Sequence, residues 1–223
     1  MLNEPASFDV RMLFIGNSYT SRNGLPTLVA AIAAASGEPR RMRVKSIVAG
    51  GASLRRHWNA GTAQKVLEAE PWDYVVLQEQ STLPIKNRSR YHENVRLFDA
   101  EIGSHGAKTV LYLTWPRQNA PQSQETIVNA VEAIAQEIGA AVVPVGRAWQ
   151  IAMRQAPGLE LYVADGSHPS VAGSYLAACV FCVRLFGDPV SGWSVSDSLN
   201  LDRKIAALLH ESAWRSCVSI ACA

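Results

Sequence analysis

Val10-Arg11-Met12-Leu13-Phe14-Ile15-Gly16-Asn17-Ser18-Tyr19-Thr20 decides how the rest of the chain is read. Met12 to Ile15 is an apolar run with the length and composition of a buried strand. Gly16-Asn17-Ser18 breaks it at once, and the next apolar-periodic stretch, from Leu25, reads as a helix. Ser18 is therefore offered at the exit of the first strand, where an open α/β sheet places its ligand site.

Outward from that stretch the elements alternate. Leu25, Leu28, Val29 and Ile32 give a helix stopped by Gly37. Met42 to Val48 reads as the second strand and ends in Ala49-Gly50-Gly51-Ala52, a tight turn. A short helix over Thr62 to Ala69 precedes the third strand, Tyr74-Val75-Val76-Leu77. Tyr91, Val95, Phe98 and Ile102 lie on one helical face. Thr109 to Leu113 is the fourth strand and ends at Thr114-Trp115-Pro116. Ile127, Val131, Ile134 and Ile138 form another helical stripe, and Ala140 to Val145 the fifth strand. Helices are expected near Arg147, from Pro169 as a first helical residue, and over Leu201, Ile205, Leu208 and Leu209. Asp188 to Ser198 reads as a loop. Strands separated by helices pair in parallel, and right-handed crossovers then give a layered α/β/α sheet.

At 223 residues one domain is the default, with a core over about residues 11–187 and a C-terminal helix over about 199–220. Apolar residues make up 48% of the chain and charged ones 18%, which excludes a disordered polyelectrolyte. A net charge of +2 argues against nucleic acid as a partner, and the local run Arg40, Arg41, Arg43, Lys45 reads as a solvated turn. No apolar run approaches the ~20 residues of a membrane span. Met1 to Asp9 lacks a signal-peptide pattern. Cys179 and Cys182 sit in an apolar helix and read as small core residues, with Cys217 and Cys222 near the C-terminus. A lone C-x-x-C with no second pair at ligand spacing does not point to zinc. No cofactor or metal is expected, and a reducing, cytoplasmic compartment is.

Four stretches carry chemistry. A serine hydroxyl is a poor nucleophile until a base takes its proton, but at a strand-to-helix turn its own N–H can also face a developing oxyanion. Alone, Ser18 reads as a turn residue or helix cap. Asp165-Gly166-Ser167-His168-Pro169 puts a carboxylate three residues before an imidazole, so Asp165 can fix the ring while its other nitrogen faces Ser18. The same residues could form an Asp turn and a helix cap. Gly50, after the second strand, offers a backbone N–H that a ligand can approach closely. Leu77-Gln78-Glu79-Gln80-Ser81 puts two amides at the end of the third strand. All four stretches fall where the carboxyl ends of a parallel sheet converge.

Order and spacing of these residues resemble the SGNH/GDSL hydrolase superfamily. Gly16-Asn17-Ser18-Tyr19-Thr20 matches its first block, with Asn17 where many members have Asp. Gly50 matches the second-block glycine, and Asp165-Gly166-Ser167-His168 the final Asp-x-x-His. With Val75 to Ser81 and Pro144 to Trp149, these stretches are similar to a bacterial branch of mostly uncharacterised esterases. The resemblance implies a flavodoxin-like three-layer fold with a five-stranded parallel sheet in the order 2-1-3-4-5. It also implies a Ser18-His168-Asp165 triad acting through an acyl-enzyme, without a metal. The third block departs from the family, which supplies an Asn amide to the oxyanion hole. Here only Gln78 or Gln80 stands there, and Gln80, further past the strand end, is preferred. The α/β-hydrolase layout is excluded, because no G-x-S-x-G elbow occurs.

The expected activity is hydrolysis of small acyl esters, acetyl first, carried by a small molecule or a carbohydrate. Ser18, Gly50 and Gln80 would form the oxyanion hole, and Asn17 and Trp115 would line the substrate site. Trp58 and Trp115, near expected loop ends, could offer sugar rings a flat apolar face. The alternatives are a lipase or thioesterase for longer acyl chains, and a non-catalytic binding module of the same fold.

Overall fold

Strand β1 (Val10–Gly16) sits between two neighbours, β2 (Met42–Val48) and β3 (Tyr74–Leu77); β4 (Lys108–Tyr112) and β5 (Ala141–Val143) continue the sheet. All pairings are parallel, in the order β2-β1-β3-β4-β5. The structure, a computed structural model, describes residues 8–37, 39–187 and 193–221. Met12, Leu13, Phe14 and Ile15 are fully buried, and they alternate between two cores. Met12 and Phe14 face one layer of helices while Leu13 and Ile15 face the other, as the two-residue period of a strand requires. Burial of each such side chain contributes about 1.5–3 kcal/mol, so the strand that delivers Ser18 is held from both faces.

The helices are α1 (Ser18–Ser21), α2 (Leu25–Ala34), α3 (Leu54–Ala60), α4 (Thr62–Ala69), α5 (Leu83–Lys86) and α6 (Arg88–Ser104). They continue with α7 (Gln124–Ile138), α8 (Val145–Gln155), α9 (Val171–Phe186), α10 (Trp193–Ser198) and α11 (Arg203–Ala221). Leu28, Val29 and Ile32 of α2, Trp149 of α8, most of α9 and Leu209 of α11 pack with Met12 and Phe14. Leu54 of α3, Leu67 of α4, Phe98 of α6 and Ile127 of α7 pack with Leu13 and Ile15. The fold is the expected three-layer flavodoxin-like one.

Several boundaries differ from the sequence expectation. Pro169 is not the first residue of its helix; Ser170 is the N-cap, its hydroxyl accepting from Gly173 N–H, and α9 starts at Val171. Part of the expected loop from Asp188 to Ser198 is helical, α10, while positions 188–192 lie outside the described residues. Leu201 precedes α11 instead of sitting within it. Arg43 and Lys45, on the outer strand β2, turn outward and share Glu70 at 2.5 and 3.1 Å. Cys179 and Cys182 are buried free thiols in α9, as their surroundings suggested; Cys222 lies outside the described residues.

Candidate active site

The turn after β1 is built around close backbone approach. A Cβ on Gly16 would fall 2.6 Å from Thr20 Oγ1 and 2.7 Å from Gln78 Oε1, so only glycine fits. Asn17 caps the one-turn helix α1: its Oδ1 accepts from Tyr19 N–H at 3.1 Å, and its Nδ2 donates to the Ala52 carbonyl at 3.0 Å. Gln78 Oε1 accepts from Asn17 N–H at 2.9 Å and from Thr20 Oγ1 at 3.0 Å. Beneath the turn, His57 Nε2 lies 2.7 Å from the Gly16 carbonyl, and since a carbonyl only accepts, that nitrogen carries the proton. Burial pushes the His57 pKa down, which keeps it neutral. Ser18 is thus presented by a turn whose backbone is tied to β2, β3 and α3.

The second half of the site is the loop before α9. Asp165 Oδ1 accepts from the backbone N–H groups of Ser167 and His168 at 2.8 and 2.9 Å, closing an Asx turn. Gly166 takes φ +62 inside it, the left-handed conformation the turn needs. Asp165 Oδ2 lies 2.6 Å from His168 Nδ1, and His168 Nε2 lies 2.8 Å from Ser18 Oγ. The His168 N–H, its ring and the Ser167 N–H together pull the Asp165 pKa down to about 2. An ionised carboxylate can only accept, so Nδ1 donates to it, and in the neutral ring Nε2 is left to accept from the Ser18 hydroxyl. Ser18 and His168 are both partly exposed, which leaves the hydroxyl reachable from solvent.

Three further side chains hold the two halves together. Tyr19 OH is 2.6 Å from Ser167 Oγ, and its ring meets His168 edge-on at 5.5 Å. Trp115 Nε1 donates to the Ser167 carbonyl at 3.0 Å. The Trp115 ring is stacked between Tyr19, at 4.9 Å, and Trp149, at 3.9 Å. Asn23, at φ 52, donates to the Ser170 carbonyl at 3.0 Å and to Ser174 Oγ at 2.8 Å.

Two expected lining residues are corrected by this arrangement. Asn17 is 3% exposed with both amide atoms engaged, and Trp115 is 1% exposed inside an aromatic stack. Both support the site from below instead of lining it. Trp58 packs on Phe98 and borders a cleft along α6 that contains none of the candidate residues. The two glutamines differ sharply. Gln78 is fully buried, and its amide nitrogen donates to the Glu79 carbonyl, so the amide is turned into the interior. Gln80 accepts through Oε1 from Thr82 N–H and Oγ1, both at 3.0 Å, which leaves Nε2 without a partner among the described residues. The N–H groups of Ser18 and Gly50 are likewise unpaired among the described residues.

Tyr19, Asn23, Trp149, His57 and Glu79 were not singled out from the sequence. Only Asn23-Gly24 carried a signal, since that dipeptide marks a turn with positive φ. Among the described residues no three His, Cys, Asp or Glu side chains gather as a metal-ligand set, and no helix is long and apolar enough to cross a membrane.

A parallel 2-1-3-4-5 sheet with a serine at the exit of β1 and an Asp-x-x-His loop before its last long helices defines a class of α/β hydrolytic folds. No family model matches the chain, and no curated protein matches it in sequence. Solved structures do. A protein from Slackia heliotrinireducens classed as an SGNH hydrolase is 31% identical, with 79% of this chain and 98% of that one covered and a TM-score of 0.69. A DUF4886 family protein from Bacteroides uniformis is 21% identical over 94% and 95% of the two chains, at a TM-score of 0.71. An acetylxylan esterase from Geobacillus stearothermophilus shares the fold at 18% identity and a TM-score of 0.66, over 81% and 96%. The chain belongs to the SGNH hydrolase superfamily, and it is a serine hydrolase.

Proposed function

We propose that the protein is an esterase that removes small acyl groups, acetyl foremost, from a hydroxyl-rich carrier such as a carbohydrate. The observation that carries this reading is the bonded chain from Ser18 Oγ through His168 to Asp165, at 2.8 and 2.6 Å. In the proposed mechanism Ser18 Oγ attacks the ester carbonyl carbon as His168 Nε2 takes its proton. Asp165 keeps the ring in the required tautomer and stabilises the imidazolium. The negative charge that forms on the carbonyl oxygen is met by Ser18 N–H, Gly50 N–H and Gln80 Nε2, three donors unpaired among the described residues. His168 then returns the proton to the departing alcohol, leaving acyl-Ser18. Water attacks that ester with His168 as base again, and Ser18 is regenerated as the acid departs.

The surroundings of Asp165 support a polar carrier. Arg117, Gln118, Asn119, Ala164, Asp165 and Gly166 line a cleft of about 290 Å³ whose side chains suit alcohols better than a hydrocarbon tail. An acetylxylan esterase with this fold is consistent with that reading. The more apolar cleft, with Trp58, Leu97 and Ala100, has no candidate site residue in its wall, which counts against a long acyl chain. A series of p-nitrophenyl esters from acetate to dodecanoate tests this. The expected result is the highest kcat/KM on acetate or propionate, together with acetate release from acetylated oligosaccharides. A maximum at eight carbons or beyond would favour a lipase or thioesterase instead.

A further inference from the structure

Glu79 is a carboxylate that the fold buries without a direct salt bridge among the described residues. It is 6% exposed, and burial pushes its pKa up, opposed chiefly by a hydrogen bond from Asn94. The nearby guanidinium of Arg55 is engaged elsewhere, with Asn94 Oδ1 at 3.0 Å and Glu93 at 2.5 Å. Burying a charge this way costs several kcal/mol unless hydrogen bonds offset it. Three do. Glu79 Oε1 accepts from Gln80 N–H at 2.7 Å and from Leu54 N–H at 3.0 Å, while Oε2 accepts from Asn94 Nδ2 at 2.9 Å.

The destinations of those bonds are what matter. Gln80 carries, just past the end of β3, the amide nitrogen left unpaired among the described residues. Leu54 is the first residue of α3, directly after the turn from Gly50 to Ser53 that carries the unpaired Gly50 N–H. One carboxylate oxygen therefore joins the two loops that approach the site from β2 and β3. The Ala52 carbonyl of the same turn accepts from Asn17 Nδ2, which links the assembly to the Ser18 turn. An apolar residue at position 79 could fill the space, but it would leave the buried Leu54 N–H and the part-buried Gln80 N–H unpaired and the loops free to separate.

We propose that Glu79 is a positioning residue that fixes the Gly50 and Gln80 oxyanion donors relative to one another and to Ser18. This rests on the reading of those two groups as the donors. Glu79 touches no substrate; it acts through the backbone of the two loops. A donor displaced by about 1 Å can cost up to ~10²-fold in rate.

The test is a partner exchange. Glu79→Gln keeps the shape and one acceptor oxygen, but sets its amide nitrogen against Asn94 Nδ2, donor facing donor. Asn94→Asp alone sets two carboxylates together. Combining them restores a donor–acceptor pair, and Arg55 still has an acceptor at position 94. kcat and KM are measured on p-nitrophenyl acetate for the wild type, both single variants and the double variant. Turnover is counted per site that a fluorophosphonate probe labels at completion, so loss of folded protein does not enter kcat. The expected result is a kcat lowered about 10- to 10²-fold in Glu79→Gln, KM within about twofold, and the double variant faster than either single one. Should Glu79→Gln not fold, Glu79→Asp, which keeps the charge but retracts it by one methylene, carries the same expectation for kcat. An unchanged kcat per labelled site in Glu79→Gln, or a double variant no faster than the singles, overturns the role of Glu79 while the esterase reading stands. A wild type that neither hydrolyses the ester nor takes up the probe overturns both.

Discussion

Asn23 Nδ2 donates to Ser174 Oγ at 2.8 Å, joining the segment that follows the serine turn to the first turn of α9, 151 residues later. The same amide donates to the Ser170 carbonyl at 3.0 Å, so one side chain pins the start of the helix that the Asp165–His168 loop leads into. Asn is suited to the task twice, since it supplies the amide and tolerates φ 52. Asn23→Ala removes the bonds and adds left-handed strain; Asn23→Gly removes the bonds alone. Both variants should lower kcat by about 10-fold through loss of loop register, and Asn23→Ala should lose about 1 kcal/mol more stability than Asn23→Gly. Ester kinetics with thermal melts check this. Wild-type kcat in both variants would mean the bridge does not set the register.

The two glutamines after β3 should fail in different ways. Gln80→Ala removes Nε2 together with the two bonds from Thr82, and should lower kcat by about 10²–10³ with little change in KM and a smaller loss of Tm than Gln78→Ala. Gln78→Ala strands the Asn17 N–H and the Thr20 hydroxyl in a fully buried site, and should cost about 2–4 kcal/mol of stability. Kinetics and melting curves on both variants separate the roles. A Gln80→Ala enzyme with unchanged kcat would mean that backbone donors suffice.

Asp165 gives a prediction in pH. Its folded pKa of about 2 lies below its ordinary 3.8, so its stabilising contribution is complete above about pH 4 and is lost as pH falls toward 2. Wild-type Tm should therefore drop across that window more steeply than the Tm of Asp165→Asn. Parallel Tm curves for the two proteins would show that the Ser167 and His168 bonds do not hold Asp165 in solution.

What the sequence made legible follows from what each residue depends on. The strands of the sheet were readable because a strand covered on both faces, as β1 is, must be apolar at every position from Met12 to Ile15. That Ser18, Asp165 and His168 could meet, as they do at 2.8 and 2.6 Å, was legible because their spacing suits a strand exit and a tight turn. Trp115 was not. Whether a tryptophan after a strand is a platform or a pillar depends on Tyr19 and Trp149, which reach it from distant segments. Asn17 misled in the same way, since a polar residue beside a serine looks like a ligand contact until its two amide atoms are seen to be used by Tyr19 and Ala52. Pro169 fits a first helical position, yet Ser170 after it is the better cap and moves the helix start to Val171.

The most direct test is Ser18→Ala, with the wild type measured beside it for turnover of p-nitrophenyl acetate and for covalent labelling by a fluorophosphonate. The wild type should label once per chain, at Ser18, and lose its activity as it does so. Ser18→Ala should not label, should retain a Tm close to that of the wild type, and should lose about 10⁴-fold or more in kcat, as nucleophile removal does in other serine hydrolases. A Ser18→Ala protein that still hydrolyses the ester at near wild-type rate, or that still takes up the probe, would contradict the assignment of Ser18 as the nucleophile.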